Sequence, residues 1–285
     1  MDIKIHSNGW LASLLDEHDG LLNRKGFALI FLAAAFVRLV NLWMTNDLSH
    51  HAFVEDSNMF WMGAEFWRDA GYFAKLTPDG YAHDVERMPG YFLFLLGART
   101  VFGDSVLSVL LLQSLIDAGT CCLIAAIGAC VSQQLALAAG FLAAVWPNLV
   151  VHSALVLSET LFLFLFSASL LFTFRYTGNG RTRDMIGAGL FLGCAIMTRV
   201  VAQFLPFLLI GLVLVVSRLR RSSWPATIRS AVILAVAIGL PLSPLLIRNH
   251  VEFGTAGLTV QGGTHVIGWV LPLVRSAESG RGFSV

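Results

Sequence analysis

Long apolar runs separated by short polar breaks make up most of this chain. A helix that crosses a bilayer needs about 20 apolar residues in succession. Seven runs meet or approach that length: 26–44, 106–131, 135–151, 157–176, 186–198, 200–217 and 228–247. The fifth is short and reaches the sixth through Arg199, so residues 186–217 predict a tight hairpin. One long tilted helix over the same residues is the other reading, and it would invert everything after it. The pattern predicts an all-α integral membrane protein with about seven transmembrane helices.

The polar breaks set the orientation, because Lys and Arg in short loops stay on the cytoplasmic side. Arg24 and Lys25 precede the first run, Arg175, Arg181 and Arg183 surround the break after the fourth, and Arg218, Arg220, Arg221 and Arg229 follow the sixth. All three clusters share one side if there are seven spans. Residues 1–25 then form a cytoplasmic segment, with "GWLASLLDEHDGLLNRK" as a short interfacial helix. Residues 26–247 form the transmembrane module, and residues 248–285 an extracytoplasmic tail.

With that orientation residues 45–105 are one large outer loop, with nine acids against four bases. Inside it "EDSNMFWMGAEFWRDAG" reads as an amphipathic helix closed by Gly71. The run "PGYFLFLLGARTVFG", 89–103, is too short to span and reads as a helix at the outer interface, with Pro89 in its first turn.

Composition agrees. The 285 residues are 56% hydrophobic and 13% charged, against about 25% charged in ordinary soluble domains. A net charge of +1 supplies no global field for nucleic acid. Cys121, Cys122, Cys130 and Cys194 all lie in apolar runs without zinc-ligand spacing, and read as small packing residues. The first 25 residues lack the apolar core of a cleavable signal peptide.

Ionisable groups from four separate segments meet the outer face: Asp56, the pair Glu86–Arg87, Glu159 and Arg199. Charge at membrane depth is costly, so such groups are usually paired or functional. Each also has a purely structural reading. Asp56 and Glu159 would cap helices, Arg199 would snorkel to the interface, and Arg87 would touch lipid headgroups. What sets them apart is the side of the membrane that they share.

The segments "EDSNMFW", "ERMPGYFLFLLGARTVFGDS", "WPNLVVHSALVLSETLFLFLF", "GLFLGCAIMTRVVAQFLP" and "SPLLIRNHVEFG" follow one another in an order that resembles the GT-C membrane glycosyltransferases. The chain is most similar in this respect to the protein O-mannosyltransferases and the lipid A aminoarabinose transferases. The resemblance runs from about residue 26 to about residue 254. It implies transfer of a sugar from a polyprenyl-phosphate donor at the outer face of a plasma membrane, here a bacterial inner membrane. The acceptor is a protein, a lipid or a glycan.

By match to the family's motifs, Asp56 is the catalytic acid of the first outer loop. Glu86 and Arg87 come from the stretch that reaches the same site, Glu159 from the start of the fourth span, and Arg199 from the basic position after "GLFLGCAIMT". Arg87 and Arg199 would bind the donor phosphate, with Glu86 and Glu159 as supporting acids. A divalent metal cation would help neutralise the phosphate, with Glu86 and His265 as candidate ligands and His83, His50 and His51 competing for the role. Family members usually run for many more spans than the chain that ends in "SGRGFSV". A fragment, a minimal member and half of a split enzyme are the readings this leaves. The non-enzymatic alternative is an inactive or truncated member that binds polyprenyl lipid or scaffolds a partner. A transporter fits less well, because there is no internal repeat and the charges gather at one face.

Overall fold

The computed structural model describes residues 24–45, 51–54 and 56–279, apart from the side chains of Thr264, His265, Trp269 and residues 277–279. The N-terminal segment before Arg24, His50 and Glu55 lie outside the described residues. The elements in chain order are α1 (Arg24–Met44), α2 (Ser57–Ala70), β1 (Ala74–Thr77), β2 (Gly80–His83), α3 (Gly90–Phe102), α4 (Val106–Ala129), α5 (Gln133–Val145), α6 (Pro147–Ser153), α7 (Glu159–Asn179) and α8 (Thr182–Thr198). A 3-10 turn, Val200–Phe204, leads into α9 (Leu205–Leu219), α10 (Trp224–Phe253) and the short α11 (Gln261–His265). A π-helical turn, Val266–Val270, joins α11 to α12 (Leu271–Ser279).

Among the described residues five helices are long and apolar enough to cross a membrane: α1, α4, α7, α10 and the segment Val200–Leu219. Counting the bent pair α5–α6 as one broken span makes six. Their outward faces carry Leu32, Phe36, Trp43, Phe207, Leu208, Val236 and Leu240, all exposed. A soluble bundle places polar residues on such faces; these are the lipid-facing surfaces of a multi-pass membrane protein. The expected run 135–151 is not one helix. It breaks by 52° at Trp146, where Pro147 cannot supply the N–H that would continue α5.

Small residues let these helices approach. In α1 the buried positions Ile30, Ala34, Arg38 and Leu42 recur every four residues and form one stripe. That stripe packs on Ala118, Cys121 and Ala125 of α4 and on Ala136 and Ala143 of α5. A Cβ on Gly140 would come within 2.6 Å of the Ile30 side chain. Gly189 and Gly193 of α8 do the same against α10, where a Cβ on Gly189 would lie 2.6 Å from that of Ala237. Van der Waals packing of small residues is the main attraction between helices that lipid already solvates.

Side-chain contacts fix the direction of each helix. Arg199, just past α8, reaches Ser158 and Glu159 at the start of α7. Ser217 and Arg220, at the end of α9, reach Tyr176 and Thr177 near the end of α7. Helices α8 and α9 therefore run in opposite directions. Arg199 itself is extended, at φ −144° and ψ 121°, which rules out one continuous helix over 186–217. Arg175, Arg181 and Arg183 consequently share an end of the bundle with Arg218 and Arg220.

At the other end α2, α3 and a β-hairpin cover the bundle. Gly71, at φ +75°, closes α2. The fold is otherwise helical, as expected, and the hairpin is a small addition to it among the described residues: Ala74 pairs with His83 and Thr77 with Gly80 across the turn Pro78–Asp79. A Pro-Asp-Gly turn between two short runs was the signal available in the sequence.

The apolar core between α1, α4 and α5 also holds a fully buried ion pair. Arg38 of α1 meets Asp117 of α4 at 2.6 Å, and neither side chain is exposed. Arg38 also donates to the carbonyls of Ala143, at 3.3 Å, and Ala144. Pro147 cannot give the Ala143 carbonyl its usual helical donor, and the Trp146 N–H, at 3.3 Å, bonds it together with Arg38. We expect Arg38→Met to cost about 3–5 kcal/mol, because it strands a buried carboxylate. Adding Asp117→Leu should restore only part of that, since the two carbonyls remain without Arg38. Thermal melting in detergent reads both effects, and complete recovery in the double variant would show that the carbonyl contacts contribute nothing.

Candidate active site

At the end of the bundle covered by α2 and α3, one cavity of about 540 Å³ draws its wall from five separate segments. Asp56, Glu86, Arg87, Glu159 and Arg199 all line it. Phe60, Met88, Leu157, Val200 and Val201 supply apolar wall, and Ser158, Thr198 and Gln261 supply neutral polar groups.

Asp56 occupies the N-cap position of α2, yet its side chain makes no capping hydrogen bond. The adjacent Ser57 is fully buried and does the local work instead. Its hydroxyl accepts from the Val54 N–H at 3.1 Å, and its own N–H donates to the Val54 carbonyl at 2.8 Å. That tight turn leaves the exposed Asp56 carboxylate turned to the cavity rather than spent on the helix end.

Glu86 and Arg87 sit on a loop built around Asp84. The buried Asp84 carboxylate accepts the Glu86 N–H at 2.8 Å and the Arg87 N–H at 3.3 Å, the geometry of an Asx turn. Lys75 of β1 pairs with Glu86 at 2.7 Å. The Arg87 guanidinium has no ion-pair partner among the described residues. Three residues after Arg87, Gly90 brings the start of α3 against the end of α8. A Cβ there would lie 2.6 Å from the Met197 carbonyl oxygen. This close approach is what sets Arg87 beside Arg199, more than a hundred residues away in sequence.

Glu159 is the first residue of α7, and Ser158 holds the cap position, so capping is not its role. Its carboxylate forms an ion pair with Arg199, and its second oxygen, Oε2, is buried without a partner among the described residues. Arg199 also reaches the Ser158 hydroxyl, at 3.5 Å. Deeper behind the wall, the Tyr91 phenol donates to Gln113 at 2.6 Å. Burial, and then the Glu159 charge, push its pKa well above the usual tyrosine range, so it stays a neutral donor.

The metal reading finds little support in the donor set. Glu86 is engaged by Lys75, and the described residues bring no group of three His, Cys, Asp or Glu side chains together. The His265 side chain lies outside the described ones. His83 instead packs against Tyr72, with ring centroids 4.3 Å apart and tilted by 40°, and approaches Glu252. A cation at Glu86 would have to displace Lys75.

Sequence reasoning passed over Lys75, Asp84 and Gln261. Lys75 and Asp84 are unremarkable in a polar loop, and only the hairpin turns Lys75 towards Glu86. Gln261 follows the last long helix and carries no charge to mark it.

The packing that joins Arg87 to Arg199 is testable without any assay of function. Gly90→Ala should lower thermal stability in detergent by about 1–3 kcal/mol, the usual cost of overpacking a tight contact. Gly97→Ala in the same helix meets open space and should be neutral or slightly stabilising. Equal melting of the two variants would mean that α3 and α8 do not touch at Gly90.

Comparison with known proteins adds a family. The family model of dolichyl-phosphate-mannose-protein mannosyltransferases matches residues 86–246. Neither the curated proteins nor the solved structures include a significant match. The matched stretch covers more than half of the chain and includes four of the five charged residues that line the cavity. The chain therefore belongs to the dolichyl-phosphate-mannose-protein mannosyltransferase family, membrane glycosyltransferases of the GT-C type.

Proposed function

We propose that this protein moves a sugar from a polyprenyl-phosphate donor to an acceptor hydroxyl at the Asp56 cavity, with inversion at the sugar's anomeric carbon. The observation that carries the reading is the shared cavity. Asp56 and Arg87, whose carboxylate and guanidinium have no side-chain partner among the described residues, line it together with Arg199.

The chemistry follows from those groups. Negative charge grows on the phosphate as the sugar–oxygen bond breaks. Arg87 is free to make paired hydrogen bonds to phosphate oxygens, and Arg199, held by Glu159, presents a second cation. The acceptor hydroxyl attacks from the face opposite the phosphate and passes its proton to the Asp56 carboxylate. Apolar wall at Val200 and Val201 suits the lipid part of the donor. Glu86 serves as a supporting acid by anchoring Lys75 near the site. A divalent cation at Glu86 and His265 would supply further neutralisation of phosphate charge, but no step above depends on it.

Substituting the carboxylate separates base from cap. Asn caps a helix about as well as Asp, so Asp56→Asn should leave folding nearly unchanged. Transfer should fall roughly 10²–10⁴-fold, because Asn cannot accept the proton. Glu55→Gln is the neighbouring control and should be mild. Transfer of labelled sugar from a polyprenyl-phosphate donor in liposomes, with abundance checked in parallel, gives the answer. Near wild-type turnover in Asp56→Asn would remove Asp56 as the base.

We further propose seven crossings, with α5–α6 and the 17-residue α8 each completing one, and with the cavity on the extracytoplasmic side. The shared end of the basic clusters supports this orientation. A single cysteine at Asp79, in a background without the native cysteines, should react with an impermeant thiol reagent added outside intact cells. One at Ser222 should not. The reverse pattern would invert the topology.

A further inference from the structure

We propose that Gln261 is a specificity-determining residue whose carboxamide hydrogen-bonds hydroxyls of the donor's sugar ring. The inference rests on the donor reading above, and it concerns a residue beyond the matched stretch, which ends at residue 246. Family membership therefore assigns Gln261 nothing.

A sugar phosphate asks two things of its pocket. The phosphate needs cations, and the sugar needs neutral groups that can both donate to and accept from hydroxyls. The cations are Arg87 and Arg199. Three neutral polar side chains share the wall: Ser158, Thr198 and Gln261. Two of these are already committed. Thr198 is buried and donates to the Cys194 carbonyl at 2.9 Å. Ser158 is buried and accepts from Arg199. Gln261 is half-buried, and its carboxamide has no hydrogen-bond partner among the described residues. Of the three, it alone has both its donors and its acceptor without a partner among the described residues.

Specificity also requires that such a group be held in place. Gln261 follows α10 on a strap that is tied down twice. At its base the fully buried Asn249 donates from its amide to the Gly257 carbonyl at 2.8 Å and to the Leu258 carbonyl at 3.0 Å. At its tip the Thr259 hydroxyl donates to the Glu86 carbonyl, and the Val260 N–H donates to the Val85 carbonyl at 3.1 Å. The Gln261 N–H then donates to the Thr259 hydroxyl oxygen at 3.0 Å. The strap is thus hydrogen-bonded to the loop that carries Arg87. The amide and the phosphate-binding cation share one support, so their spacing is set by backbone contacts. A sugar anchored through its phosphate would meet Gln261 in a defined register.

Binding to two kinds of lipid tests this. The full-length protein in nanodiscs is titrated with sugar-free polyprenyl phosphate and with polyprenyl phosphates carrying mannose, glucose or an amino-pentose. Wild-type protein should prefer at least one sugar-bearing lipid. Gln261→Ala should weaken that lipid roughly 3- to 10-fold, the worth of a lost neutral hydrogen bond, and leave the sugar-free lipid unchanged. Gln261→Asn, one methylene shorter, should recover part of the loss. Equal weakening of both lipids would make Gln261 a structural residue and overturn the inference. So would no weakening of either. If wild-type protein binds neither kind of lipid, the donor reading itself fails, and the inference fails with it.

Discussion

A single guanidinium joins three helices inside the apolar part of this bundle. Arg38 of α1 pairs with Asp117 of α4 and donates to the last carbonyls of α5. An unpaired charge at that depth is expensive, and so is a backbone carbonyl without a donor in lipid. Each problem removes the other. Pro147 turns the chain by breaking α5, and the Ala143 carbonyl that loses its usual helical donor accepts from the Trp146 N–H and from Arg38 instead. The turn aims α6 and the segment after it towards the cavity end, where Gln113 donates to the Leu155 carbonyl at 2.8 Å. Glu159 and Ser158 follow directly. The site wall on this side therefore depends on how a broken span is satisfied within the bundle.

The opposite wall is set by a different constraint, the absence of side chains. Gly189 and Gly193 seat α8 on α10, and Gly90 seats α3 on the end of α8. Each removes a methyl group that would hold two backbones apart. The result is that Arg199, at the extended break after α8, faces the loop that carries Arg87. Rigid helix packing here does for the site what a metal or a disulfide does elsewhere. It brings distant chain segments into one register and holds them there.

Outside the membrane span the covering layer is held electrostatically. Arg99 of α3 lies over the Trp61 ring at 4.0 Å and pairs with Glu65 of α2 at 2.8 Å and with Asp104 at 2.7 Å. The hydrogen bond from Arg99 lowers the Asp104 pKa below the usual carboxylate range. This contribution is present at neutral pH and fades only in acid, as Asp104 takes up its proton. Arg99 is buried while its partners are partly wet, a favourable setting for a bridge between two amphipathic helices. That layer places Asp56 at the start of α2 over the cavity.

Run length and charge bias are local properties, and so the membrane class, the hairpin at Arg199, the helix ended by Gly71 and the shared end of the arginine clusters were legible in the sequence. The charged residues that line the cavity were legible too, because Asp56, Glu86, Arg87, Glu159 and Arg199 are each conspicuous beside apolar runs and sit in familiar motifs. Partnership was not legible, since it depends on atoms brought together across the fold. No period or motif tells that Glu86 meets Lys75, that Glu159 meets Arg199, or that Asp56 stands at a helix end without capping it. Arg38 and Asp117 interrupt apolar runs and so signal a need for partners, but only packing decides that they choose each other and the carbonyls at Pro147. The same holds for Gln261, a neutral residue whose place in the wall comes from hydrogen bonds to a loop 173 positions earlier, the separation between Thr259 and Glu86. Local sequence sets what each segment is; the tertiary structure sets which buried polar groups satisfy one another, because that is a property of pairs.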